Sequence, residues 1–389
     1  MKDQSEQSFH FTIEQQLASN FLFRIGYLGS LGRHLPVLMD LNRFDGDAYN
    51  PDLARHRPNS LYTAFNYRAN NVSSNYNALV TEFQKRFSNG LQFQFGYTWS
   101  KLLDFNSALF AGETTQGSYS QPYYYVTNSN FRNEYGPGGF DHTHSFKFSY
   151  VYELPFLRNS KSIVGRVLGG WQISGFYQGY SGHPLEVYNS RTRYPTGGSF
   201  DPGQFVDANG VPENLGGDYN LDGNNNDHPV YVGPSNPYSG KSPADGIFVD
   251  NNPAGCGVLG GKSGAAAIDA CNSNFGVGTP NSVFFNPPGG PIRYGLGRNV
   301  FRGPWYNNFD AAISKNFAIT ERLKLQLRAD AVNILNHPNF DCIDTDVNSG
   351  TFGRALCVAG DGGIYGPTPG GSWANGVARR FQFSAKIFF

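Results

Sequence analysis

The stretch that decides the fold is Leu91-Gln92-Phe93-Gln94-Phe95-Gly96-Tyr97-Thr98-Trp99-Ser100-Lys101. From Leu91 to Trp99 its odd positions are apolar or aromatic, and its even positions are polar or small. A period of two places alternate side chains on opposite faces of a β-strand. This segment therefore predicts a strand with one apolar face and one polar face.

The same alternation recurs along the chain. It runs through Phe146, Phe148, Tyr150, Tyr152 and Leu154. Similar segments lie near residues 8–17, 20–29, 75–87, 171–182, 306–317, 322–335 and 379–389. Together they predict about nine strands of roughly ten residues each. Helical periodicity has one candidate, Ser162 to Leu168, which predicts a short interfacial turn of helix.

Composition and charge limit the class of protein. The 389 residues have a formal net charge of zero and are 15% charged and 15% aromatic, so there is no electrostatic case for nucleic acid as a partner. No run of about 20 apolar residues occurs, which excludes a membrane-spanning helix. A membrane β-barrel stays possible, because its strands are short and only half apolar.

The connections alternate between short and long. Short links are predicted at Ala18-Ser19, Ser88-Asn89-Gly90 and Thr320-Glu321, and Asn-Gly favours a tight hairpin. Long connections are predicted at residues 30–74, 102–143, 184–305 and 337–378. If the last strand ends in the periplasm, every short turn falls there and every long loop falls outside, as in outer-membrane barrels.

Two faces follow from the alternation. The predicted lipid-facing residues are Phe93, Phe95, Tyr97, Trp99, Phe146, Phe148 and Tyr150. The predicted inward-facing residues are Lys147, Glu153, Arg328, Asp330, Arg380 and Lys386, which fit a water-filled or plugged interior. A soluble β-sandwich also alternates, because it buries one face of each sheet against the other. It would bury Phe93, Phe95, Phe146 and Phe148 between two sheets.

The chain ends on an aromatic residue. Apolar side chains at alternate positions precede it, and the last strand resembles the C-terminal β-signal read by the barrel-assembly machinery. Its members are Phe381, Phe383, Ile387 and Phe389. The alternative is an ordinary last strand of a soluble sheet.

These patterns together predict an all-β fold, an antiparallel up-and-down transmembrane β-barrel. We expect residues 1–389 to form a single domain that is part of the barrel. An open sheet in lipid leaves backbone groups unpaired at its edges, so we expect further strands upstream to close the barrel. No apolar export signal is found at Met1-Lys2-Asp3, so we expect that signal upstream as well.

Several motifs resemble one family. They are Asn75-Tyr76-Asn77-Ala78-Leu79, Lys85-Arg86-Phe87-Ser88-Asn89-Gly90, Tyr97-Thr98-Trp99-Ser100-Lys101, Gly169-Gly170-Trp171-Gln172, Gly297-Arg298-Asn299 and Asn336-His337-Pro338-Asn339-Phe340. The chain resembles the barrel of Oar-like TonB-dependent outer-membrane receptors over essentially its whole length. The resemblance implies a signal peptide, a carboxypeptidase-regulatory-like domain and a TonB-interacting plug, which we expect to precede the barrel and to lie outside residues 1–389. It also implies energised transport.

The four cysteines fall into two equally spaced pairs, Cys256 with Cys271 and Cys342 with Cys357. In an exported protein this spacing predicts two local disulfides, each closing a loop of about 15 residues. Three pairings are possible for four cysteines. No Cys-x-x-Cys spacing or histidine cluster accompanies them, which disfavours zinc.

One predicted outer loop contains a candidate calcium site. From Asp218 to Asp227, oxygen-bearing side chains alternate and Gly223 is sixth, as in an EF-hand loop. The candidate ligands are Asp218, Asn220, Asp222 and Asp227. The expected twelfth-position glutamate is Pro229 instead, and an Asn-rich turn is the plain alternative. No other cofactor is predicted.

The leading functional hypothesis is a transport or receptor barrel and not an enzyme, because neither HExxH nor GxSxG occurs. Its expected partners are outer-membrane lipid, the barrel-assembly machinery, an unidentified ligand and the TonB system, the last through the absent plug. One alternative is a secreted carbohydrate-binding or adhesive β-protein that uses tyrosine-rich loops. Another is a passive porin.

Overall fold

The computed structural model describes most of the predicted strands and part of the connections between them. The described residues are 2–40, 42, 59, 61–62, 66–105, 107, 135–157, 162–188, 230–231, 284–285, 298–299, 301–320, 323–346, 355–358 and 378–389. The candidate calcium ligands Asp218, Asn220, Asp222 and Asp227 lie outside them, as do Cys256 and Cys271.

Nine long strands form one antiparallel sheet, in which each strand pairs with the next along the chain. They are β1 (Ser5–Ala18), β2 (Phe21–Asp40), β3 (Asn66–Ser88), β4 (Leu91–Asp104), β5 (His144–Glu153), β6 (Trp171–Tyr180), β7 (Tyr306–Ala318), β8 (Lys324–Val332) and β9 (Arg380–Phe388). The predicted all-β, up-and-down antiparallel fold is confirmed. The sheet is open among the described residues, since β1 and β9 lie at its two edges.

The connections between these nine strands contain several shorter elements. Gly136–Pro137 pairs with the end of β4, and three separate two-stranded pairings join other connections. These are Pro184–Leu185 with Phe301–Arg302, Val230–Tyr231 with Phe284–Phe285, and Phe340–Ile343 with Ala355–Val358. Helix α1 (Ile163–Leu168) lies where the sequence predicts a turn of helix. Within the described residues, no helix combines the length and apolarity needed to cross a membrane.

The tight hairpins follow from local sequence. Asn89 and Gly90 both adopt positive φ, 52° and 78°, as a two-residue primed turn between β3 and β4 requires. The Gly90 carbonyl then accepts a hydrogen bond from the backbone N–H of Glu153 at 2.7 Å. This turn therefore also joins the neighbouring strand β5.

Two strands run further than the alternation predicts. Strand β2 continues to Asp40 and β3 begins at Asn66, so residues 41–65 connect them instead of the predicted 30–74. The pairing shifts register between Gly32 and Pro36, and His34 has a φ of 53°. Such a bulge interrupts the period of two, which explains why sequence analysis ends the strands early.

The described residues bury few apolar side chains. One small cluster joins β2 and β3 at the far end of that pair, formed by Val37, Ala69 and Val72. The largest fully buried side chains, Leu185, Glu186 and Asn42, lie outside the nine-stranded sheet. Both faces of the sheet are therefore uncovered over most of their area in the described part of the chain.

Candidate functional site

The register divides the sheet into two faces, because directly paired residues of antiparallel strands project to the same side. Phe95 of β4 pairs with Phe83 of β3 and with Phe148 of β5, so all three share a face. Followed across the nine strands, the register collects a predominantly apolar set. We call this the apolar face, and its main members are Phe9, Phe11, Ile13, Ile25, Tyr27, Leu79, Phe83, Phe93, Phe95, Tyr97, Trp99, Phe146, Phe148, Tyr150, Tyr152, Trp171, Ile173, Tyr177, Phe309, Ile313, Leu325, Leu327, Phe381, Phe383 and Ile387.

All seven residues predicted to face lipid lie on the apolar face. Trp99 is 55% exposed and Phe383, one of the predicted β-signal residues, is 79% exposed. No second sheet covers this face among the described residues. Phe93, Phe95, Phe146 and Phe148 are thus not enclosed between two sheets, as a soluble sandwich would require.

The opposite side, which we call the polar face, carries most of the charge of the strands. All six predicted inward-facing residues lie on it, namely Lys147, Glu153, Arg328, Asp330, Arg380 and Lys386. Arg24 donates across two strand boundaries, to Glu14 at 2.6 Å and to Glu82 at 2.8 Å. Charges of opposite sign are therefore paired along this face.

A cavity of about 350 Å³ opens on the polar face between β3 and β6. Its polar-face lining is Val80, Glu82, Gln94, Gly96, Thr98, Ser145, Lys147, Ser149 and Phe176. Gly96 lies on its floor, and a Cβ added there would meet no atom within 4 Å. The cavity therefore presents one anion, one cation and several neutral hydrogen-bonding groups, as a small polar ligand or a water-filled passage would need.

A buried ion pair organises the end of the sheet where the long connections lie. Arg298 Nη1 contacts Asp104 Oδ1, and their side chains are only 2% and 9% exposed. The same nitrogen donates to the Asp104 carbonyl at 2.9 Å, and Nη2 donates to Ser107 Oγ at 2.8 Å. This arginine thus fastens the segment before β7 to the end of β4.

A second pair binds the same segment to the connection before β5. Arg302 Nη2 lies 2.5 Å from Asp141 Oδ2, and the Asp141 side chain is 1% exposed. Asp141 Oδ1 also accepts from the backbone N–H of Leu102 at 2.5 Å. We call the two pairs, Arg298 with Asp104 and Arg302 with Asp141, the rim pairs.

A third group of contacts links the connection after β6 to the one after β8. Tyr188 forms a parallel bridge with Asp346, and its N–H donates to the Thr345 carbonyl at 3.1 Å. Burial, followed by the negative charges of Asp346, Asp344 and Glu186, raises the pKa of Tyr188 to about 12. The tyrosine is therefore neutral at physiological pH.

Of the four residues in the rim pairs, sequence analysis named only Arg298. Asp104 and Arg298 are 194 positions apart, and no local pattern joins them. Arg298 lies in the motif Gly297-Arg298-Asn299 noted above, which was the only available signal.

Two other sequence features can be placed. Cys342 is disulfide-bonded, and Cys357 lies on the strand that pairs with its own, opposite Asp341; the predicted pairing stays a prediction. His142 Nδ1 lies 2.6 Å from the Ser181 carbonyl, and His144 Nδ1 lies 2.8 Å from the Tyr97 hydroxyl. Both imidazoles therefore serve as structural hydrogen-bonding groups.

An open antiparallel sheet with one apolar and one polar face across nine strands is the arrangement of a membrane β-barrel wall. Comparison with protein families agrees, since the model described as "Outer membrane beta barrel domain" matches residues 1–362. The chain belongs to this family, and its location is the bacterial outer membrane. The alternative of a secreted carbohydrate-binding or adhesive β-protein is therefore not supported.

Solved structures give a broad likeness in fold. The outer membrane transporter YddB from Escherichia coli is 8% identical, with a TM-score of 0.43 over all of this chain and 33% of that one. The outer membrane receptor FpvA from Pseudomonas aeruginosa PAO1, bound to pyoverdine, is 9% identical, with a TM-score of 0.37 over 99% of this chain and 30% of that one. The chain thus spans about a third of the length of these proteins. Comparison with curated sequences gives no match.

Proposed function

We propose that this chain forms part of the wall of a TonB-dependent receptor that moves a substrate across the outer membrane, and that it is not an enzyme. One observation carries the proposal: across all nine strands one face is predominantly apolar and the other carries most of the charged residues. In a membrane barrel the apolar face contacts hydrocarbon and the polar face lines the interior.

The polar face has the chemistry of a barrel interior. Arg24 is paired across strands with Glu14 and Glu82, and Arg328 is paired with Asp330. These pairs place charges of both signs on the polar face. The cavity over Gly96 adds a concave place for a polar group. That group belongs either to a passing substrate or to a plug inside the barrel.

The choice of a receptor over a passive porin rests on the family resemblance. The motifs Lys85-Arg86-Phe87-Ser88-Asn89-Gly90 and Gly297-Arg298-Asn299 are similar to those of Oar-like receptors. Such a receptor couples to the TonB system through a plug. In this proposal Phe381, Phe383, Ile387 and Phe389 are read by the barrel-assembly machinery, and the long connections meet the ligand from outside.

Electrical conductance separates the candidates. Native protein containing this chain, extracted from the outer membrane, is added to planar bilayers in potassium chloride. A plugged receptor inserts but shows no steady open conductance, whereas steady open steps would establish a passive porin instead. Failure to insert, with the protein monodisperse in the absence of detergent, would overturn the membrane-wall proposal itself.

A further inference from the structure

The connection between β5 and β6, residues 154–170, differs from the others at its end of the sheet. The other three connections of the described sheet there are short, at residues 19–20, 89–90 and 319–323. We call residues 154–170 the β5–β6 link. Its described part includes helix α1, which begins after Ser162, whose Oγ accepts from the Gly165 N–H at 3.0 Å.

Two hydrogen bonds show on which side of the sheet the link lies. Trp171 and Lys315 are directly paired on the apolar face. Trp171 Nε1 donates to the Val167 carbonyl at 3.3 Å, and Lys315 Nζ donates to the Gly169 carbonyl. The C-terminal end of α1 therefore lies over the apolar face and not over the polar face.

This packing covers a cation that would otherwise face hydrocarbon. Lys315 is only 2% exposed, and its Nζ lies 5.6 Å from the ring centroid of Trp171 and 5.0 Å from that of Phe317. Both rings and the Gly169 carbonyl stabilise the ammonium group. The C-terminal end of α1 is thus held against the end of the apolar face.

The described part of the link exposes several apolar side chains. Val164, Val167 and Leu168 follow at helical spacings of three and four, so they share one side of α1, and they are 58%, 52% and 58% exposed. Phe156 and Leu157, before the helix, are 67% and 45% exposed. Because the C-terminal end of α1 lies over the apolar face, the exposed stripe on α1 adds apolar surface at the short-turn end of that face.

All charged residues in the sequence of the link are basic. Its sequence contains Arg158, Lys161 and Arg166 and no acidic residue. An apolar helical stripe combined with basic residues is typical of segments that lie in the headgroup region of anionic lipid. A protein partner would not require the apolar stripe to be continuous with the apolar face.

We infer that helix α1 is an interfacial anchor in anionic phospholipid, with Val164, Val167 and Leu168 inserted below the headgroups. The inference rests on the outer-membrane location of the chain and goes beyond transport. It assigns α1 to the membrane surface at the short-turn end of the barrel.

Depth-dependent quenching tests this anchor. The full chain carries a fluorescent label at Val167→Cys, Ile313→Cys or Ala312→Cys, in phosphatidylcholine vesicles with or without phosphatidylglycerol. Ile313 and its neighbour Ala312 are matched controls on the apolar and polar faces. The unsubstituted chain gives the background labelling. We expect a nitroxide near the lipid headgroup to quench the Val167 label best, a deep nitroxide to quench the Ile313 label best, and neither to quench the Ala312 label.

The outcomes separate this inference from the proposed function. If the Ile313 label is quenched and the Val167 label is not, the link faces water or a protein and the anchor is wrong, while the barrel wall stands. If neither is quenched, the membrane-wall proposal fails as well. Combined Arg158→Gln, Lys161→Gln and Arg166→Gln substitutions should remove the extra Val167 quenching that phosphatidylglycerol produces. Unchanged quenching in that variant would refute the role of anionic lipid.

Discussion

Arg298 and Asp104 form a buried ion pair although 194 positions separate them in the chain. The pair lies where the end of β4 meets the segment that leads into β7. Removing one member of a buried pair leaves the other charged and without its partner, which costs far more than removing an exposed pair. The rim pairs therefore decide how firmly the long connections are held to the sheet.

Arg298→Met should lower the free energy of unfolding by about 3–5 kcal/mol, because Asp104 keeps a buried charge. Urea unfolding of the protein in lipid vesicles measures this loss. The matched control is Arg24→Met, which removes the two ion pairs of an arginine that is 42% exposed and should cost about 1 kcal/mol or less. Equal losses of unfolding free energy in Arg298→Met and Arg24→Met would show that the Arg298 pair is not buried in the folded protein.

Phe148→Arg should prevent stable insertion, because it puts a charge in the middle of the apolar face. The expected cost is about 2–4 kcal/mol at the bilayer midplane. Ser149→Arg is the adjacent control on the polar face and should insert normally. The folded fraction is read from heat-modifiable migration on gels. A larger defect in Ser149→Arg would mean that the two faces have been assigned the wrong way round.

Alanine substitutions at two glycines of the sheet should have opposite effects on the free energy of unfolding. A Cβ at Gly96 meets nothing within 4 Å, so Gly96→Ala should stabilise the strand by about 0.5–1 kcal/mol through the lost chain entropy. A Cβ at Gly175 would lie 2.6 Å from the Tyr150 ring, so Gly175→Ala should cost about 1–3 kcal/mol. Urea midpoints in the same vesicles compare them, and a stabilising Gly175→Ala would contradict the ring packing.

The raised pKa of Tyr188 predicts a loss of stability at alkaline pH. Its folded pKa is about 12 against an ordinary value of 10.0. The unfolded chain therefore loses this proton first, so the stabilisation is fully present below pH 10 and disappears as the pH rises to about 12. Tyr188→Phe cannot ionise and should show a flatter decline of the urea midpoint over this range. If the urea midpoints of Tyr188→Phe and of the unsubstituted protein decline in parallel, the Tyr188 hydroxyl is not buried in the folded protein.

The strands were predictable because their pattern is local. The alternation from Leu91 to Trp99 identifies a strand and its two faces, and Asn89-Gly90 identifies the turn before it. Strand ends were less predictable. The bulge between Gly32 and Pro36 breaks the period of two, so β2 is longer than its clear alternation. The calcium ligands and the pairing of the cysteines stay predictions.

The sequence by itself determined that this chain is a set of antiparallel strands with one apolar and one polar side, because side-chain direction in a strand repeats every two residues. Only the tertiary structure decided which distant groups meet. The pairing of Arg298 with Asp104 and the position of α1 beside Lys315 depend on how long connections fold back onto the sheet. No periodicity encodes such contacts, since they join residues whose separation in the chain is unrelated to their separation in space.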